Sequence, residues 1–138
     1  MTPLSFERLN VGWNAEPNAP ATRVAVDGQR LGVRFYLNCF AFDCAHEEQE
    51  GVLSFTGCSR WRLGSTNDEG WLRGQCRYSH VAPAWGEFYE LHGDDPARDI
   101  PTDWRVTGAD QPTARHFLFY FRDHTFECMA DDWSFERL

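Results

Sequence analysis

Lysine is absent from this sequence, and all thirteen basic residues are arginine. Every fixed cation is therefore a planar fork, suited to carboxylates and phosphates. Basic charge is also scarce, and the formal net charge is −8. That sign argues against a nucleic-acid binder, which needs a basic face to displace counterions. It permits a basic protein partner. Long apolar runs are missing too. None approaches the ~20 residues of a membrane span, so no membrane contact is expected. Residues 1–11 have neither a basic start nor an apolar run, so they do not read as a secretory leader.

Several motifs of catalysis and cofactor binding are also lacking. The chain contains no Gly-x-Ser-x-Gly, no Walker A, no Gly-x-Gly-x-x-Gly and no His-Glu-x-x-His. Phosphate cradles need a strand-to-helix junction, and no segment has convincing helical periodicity. No cofactor is implied. Metal signals are equally thin. Cys39, Cys44 and His46 lie close together, with Cys58 further on, but structural zinc favours two tight Cys-x2-Cys pairs. Residues 94–103 are rich in aspartate but lack the glycine and terminal glutamate of a calcium loop. No metal ligand is assigned. The five cysteines are odd in number and irregularly spaced, which reads as reduced thiols in a cytoplasmic protein.

The dominant pattern is alternation. Over residues 31–41, Leu31, Val33, Phe35, Leu37, Cys39 and Ala41 share one face. Arg30, Gly32, Arg34, Tyr36 and Asn38 share the other, as in a long half-buried strand. Phe40 and Phe42 break the polar face, so both faces are expected to be covered there. Asp27-Gly28 is a hairpin turn signal that would pair Val24 with Leu31. At the carboxy end, Phe117, Phe119 and Phe121 alternate with polar residues. A turn at Asp123-His124 would set Phe121 opposite Phe126 and Phe119 opposite Cys128. The same register sets Phe117 opposite Ala130.

Residues 52–63 read as one strand with Gly57 as a bulge. Residues 71–79 and 85–92 read as two more, and 104–107 as a short one. Residues 12–20 are an extended connector, and 64–70 and 93–103 are loops by their turn chemistry. The pentapeptide Ser5-Phe6-Glu7-Arg8-Leu9 recurs as Ser134-Phe135-Glu136-Arg137-Leu138. It is either a coincidence of two similar strands or a sign that both ends share a sheet. The expected fold is all-β and mainly antiparallel, one domain over residues 1–138. About eight strands would form a meander closed as a barrel or sandwich, with little or no helix.

Arg60, Arg62, Arg73 and Arg77 form an alternating arginine strip. Enclosed, with hydroxyls such as Tyr36 nearby, it would bind a small anionic ligand. Exposed, it is a solvated face neutralised by nearby acids. Glu90 and His92 fall on one face, as do His116, Tyr120 and Glu127 near Asp131. Such a His–carboxylate pair could do acid–base work, but no catalytic residue is assigned. Trp13, Trp104 and Trp133, the last beside Asp131 and Asp132, mark a candidate protein interface. The leading expectation is a non-catalytic acidic module that engages a protein partner. The anion-binding barrel and the His–carboxylate enzyme are the alternatives.

Overall fold

A computed structural model describes residues 2–64, 72, 73, 78, 81–96, 98, 99 and 103–138. Among the described residues the chain forms ten strands: β1 (Ser5–Arg8), β2 (Arg23–Asp27), β3 (Arg30–Tyr36), β4 (Glu50–Thr56), β5 (Arg60–Gly64), β6 (Phe88–His92), β7 (Arg105–Val106), β8 (Arg115–Tyr120), β9 (Thr125–Ala130) and β10 (Asp132–Arg137). They build two antiparallel sheets, a six-stranded one ordered β1-β6-β8-β9-β5-β7 and a four-stranded one ordered β10-β4-β3-β2. The architecture is a sandwich, and the sheets do not close into a barrel. Nor is it a simple meander, since β1–β6, β5–β9 and β10–β4 pair strands remote in sequence.

Apolar faces at period two decide the packing. Leu31, Val33, Phe35, Leu53 and Phe55 of the smaller sheet meet Phe88, Phe117, Phe119, Phe126 and Cys128 of the larger. Trp13 closes one end of this core, its ring stacked on Phe135 at 3.8 Å. A second cluster covers the outer face of the larger sheet. It joins Tyr78, Ala82, Tyr89, Leu91, Leu118 and Tyr120, with Phe6 and Trp85 at its margin.

Both expected hairpins form, each with its register moved by two residues. Val24 pairs with Val33 and Val26 with Leu31, so the turn is Gly28-Gln29 rather than Asp27-Gly28. Of these, only Gly28 takes a positive φ, 60°, the conformation of a glycine-first two-residue turn. At the carboxy end Phe119 faces Phe126 and Phe117 faces Cys128. There the Phe121 amide donates to the His124 carbonyl at 2.8 Å, which centres the turn on Arg122-Asp123. An even shift leaves every side chain on its expected face.

The single strand expected over residues 52–63 is two strands in different sheets. At the break Gly57 has φ +65°. The Cys58 amide then bonds Gln29 of the smaller sheet, and the Ser59 amide bonds Met129 of the larger. Beside this bend β9 runs into β10 through Asp131, so the paired chains change sheets together. The long strand from residue 31 ends at Tyr36. The expectation that both faces are covered beyond it is overturned, since Phe40 is 81% exposed. Most of residues 71–79 lie outside the described residues, and of 85–92 only Phe88–His92 is strand. The repeated pentapeptides sit in different sheets, both in edge strands, so the shared-sheet alternative is overturned. Phe6 joins the outer cluster and Phe135 the main core.

Candidate functional site

Strand β5 points Trp61 and Leu63 toward the core and Arg60 and Arg62 toward the outer face. Both guanidiniums are engaged by acids of the chain itself. Arg60 bonds Asp99 at 2.7 Å and Asp110 at 3.2 Å. Arg62 bonds Asp103 at 3.0 Å and Glu127 at 3.1 Å, and donates to the Arg98 carbonyl at 2.8 Å. The Trp104 ring lies under both cations, 4.6 Å from Arg60 and 3.9 Å from Arg62. Its indole N–H donates to the same Arg98 carbonyl. The bond from Arg60 holds the Asp99 carboxyl below its ordinary range.

His116 completes this cluster. Its Nε2 lies 2.8 Å from Glu127, and its Nδ1 lies 3.7 Å from Asp95, which accepts from the Tyr78 hydroxyl. Arg62, His116 and Glu127 are each at most 3% exposed. Asp95, Asp99 and Asp103 are thus each set against a basic side chain of the larger sheet. Of the remaining strip, Arg73 is exposed and Arg77 lies outside the described residues. Tyr36 ends β3 in the opposite sheet, so the fold does not bring it to Arg60 and Arg62.

The candidate interface residues make contacts within the chain, and the Asp132 side chain is exposed. Trp104 is half-buried beneath the arginines. Trp133 packs edge-on against Phe88 at 5.2 Å. Asp131 accepts from the Thr113 hydroxyl at 3.0 Å, and Asp132 pairs with Arg115 at 3.3 Å. Glu90 and His92 do share a face, and with Glu7 they bring three potential ligand atoms within 4.8 Å of one another. The cation position is already filled, since Arg115 donates to both Glu90 oxygens at 2.7 and 3.0 Å. That bond raises the Arg115 pKa further.

The thiol expectation is corrected in one place. Cys39 and Cys44 are joined by a disulfide. Cys39 does not lie on an apolar strand face but in an exposed turn beyond β3. Cys58 and Cys128 are free and buried. A hydrogen bond from Cys128 lowers the Cys58 thiol, and burial pushes Cys128 well up. Cys76 lies outside the described residues.

Next to the disulfide is a surface pocket of about 550 Å³, lined by Glu16, Ala19, Tyr36, Leu37, Cys39, Phe40, Glu47 and Glu48. Three stretches of chain line it, and the bridge between Ala15 and Leu37 ties the first two. Its floor is apolar and its charged groups are all carboxylates. Glu16 accepts from the Asn18 amide at 3.1 Å and from Ala19. Glu47 and Glu48 make no ion pair among the described residues. Sequence reasoning passed over this group. The available signal was the acidic pair beside Cys44 together with an aromatic on the polar side of a strand pattern.

No family model, curated protein or solved structure matches this chain. No helix among the described residues is long and apolar enough to cross a membrane.

Proposed function

We propose that this protein is a non-catalytic acidic module that docks a basic protein partner in the pocket beside the disulfide. The observation that carries the reading is Phe40, 81% exposed next to Glu47 and Glu48, which have no cation of their own among the described residues. An arginine or lysine side chain supplies what the pocket lacks. Its aliphatic stem covers Phe40, its charge meets the carboxylates, and Tyr36 and Phe40 offer ring faces to a cation. The net charge of −8 adds long-range attraction for such a partner. The anionic-ligand alternative draws less support, because Arg60 and Arg62 already hold carboxylates. The acid–base alternative has its pair in His116 and Glu127, but both are buried, at most 2% exposed.

The test is amide chemical-shift mapping with a tetra-arginine peptide, with tetra-glutamate as control. Shifts should cluster at residues 16–19 and 36–48, weaken with added salt, and vanish in Phe40→Ser combined with Glu47→Gln and Glu48→Gln. Equal responses to both peptides, or shifts centred elsewhere, would sink the reading.

A further inference from the structure

We propose that the Cys39–Cys44 disulfide is the redox switch of this docking site, closed and binding when oxidised, open and released when reduced. The inference rests on the docking reading above and adds its regulation.

The disulfide is part of the site as well as its neighbour. Cys39 lines the pocket, and Phe40, its most exposed ring, is the next residue along. Both lie inside the loop that the bond closes. Within that loop, backbone tethering is local. The Phe40 and Ala41 amides donate to the Asn38 side chain at 3.1 and 3.2 Å, and the Phe42 amide donates to the Asn38 carbonyl at 3.2 Å. The loop meets the body at its two ends. Asn38 donates to the Asn14 carbonyl at 3.0 Å, and Cys44 packs against the main core. The Ala45 amide bonds the Gln49 side chain at 2.9 Å and braces that second end. The disulfide carries this anchorage across to Cys39. Without it, the nearest hydrogen-bonded anchor of Phe40 is Asn38, and the loop regains conformational freedom that a cross-link removes.

The chemistry is accessible from outside. Cys39 is exposed and Cys44 half-buried, so an external thiolate reaches the Cys39 sulfur first. Attack there breaks the S–S bond, and the electron pair leaves on Cys44, which takes up a proton. The second thiol of a dithiol reductant then attacks the mixed disulfide. Cys39 is released as a thiol, and the reductant departs as its own cyclic disulfide, having supplied both electrons. Compartment would then set the state of the site, since disulfides persist in oxidising compartments and are reduced in the cytosol.

The experiment measures the affinity of labelled tetra-arginine for three forms. These are the oxidised protein, the same protein after dithiothreitol, and Cys39→Ser/Cys44→Ser, with near-ultraviolet circular dichroism confirming an intact core in each. The expected result is that reduction weakens binding at least about tenfold, or roughly 1.4 kcal/mol. The double variant should bind as weakly without reductant and be indifferent to it. Equal affinity in all three forms would overturn the switch and leave the docking site standing. Binding in none of them would overturn the docking reading, and the switch with it. A loss on reduction that the double variant does not reproduce would assign the effect to other cysteines, and the switch would fall.

Discussion

Glu127 is wholly buried on β9 and meets both Arg62 and His116. Taking ions out of water is costly, and such a group is tolerated only with its partners in place. Arg62→Ala removes one partner and leaves Glu127 buried, so it should lower stability by about 3–5 kcal/mol, read from the urea midpoint. Tyr89 makes a different point. Its hydroxyl donates to the Ala84 carbonyl at 3.0 Å, and burial raises its pKa. Above about pH 10 the unfolded chain loses this proton before the folded one does. The stability Tyr89 contributes is therefore present below that pH and falls as pH climbs through it. Urea midpoints at pH 9 and pH 11 should show a steeper fall in the wild type than in Tyr89→Phe. The sequence set Glu127 beside His116 on one hairpin, but not its partnership with Arg62, 65 residues away, which only folding brings about.

Among the elements, the β8–β9 hairpin with its turn contributes six buried residues to the main core, Phe117, Phe119, Phe121, Phe126, Cys128 and Ala130. Phe119 is fully buried, stacked on Phe121 at 4.2 Å and edge-on to Phe35 at 5.3 Å. Phe119→Ala should cost about 3–5 kcal/mol, the usual consequence of emptying a packed ring site. A denaturant midpoint near wild type would contradict that placement. Alternation identified this hairpin and its inward face, because a period of two is local information. It did not identify the register, because a turn can tighten or slip by two residues without moving any side chain across the sheet. Gly57 was visible as an irregularity but read as a bulge. It is a bend between sheets, where its positive φ and the Asp131 carboxylate exclude a Cβ.

In the molecule as a whole, the two sheets share one core. Residues from β3 and β4 and from β6, β8 and β9 belong to the same cluster, and β4–β5 and β9–β10 each run from one sheet into the other. Neither sheet can keep its apolar face covered alone. Tryptophan fluorescence and far-ultraviolet circular dichroism should therefore follow one coincident unfolding transition, and two separated transitions would show that the sheets fold independently. The sequence by itself determined the all-β character, the inward faces of the long strands and the positions of both hairpins, since all of these follow from neighbouring residues. Tertiary structure alone decided which strands pair, where the chain changes sheet, and that Glu16, Tyr36, Phe40, Glu47 and Glu48 meet around one pocket. The physical reason is the same in each case. Alternation states which side of a strand avoids water, whereas a backbone edge accepts any partner whose face and length agree, and that choice belongs to the packed whole.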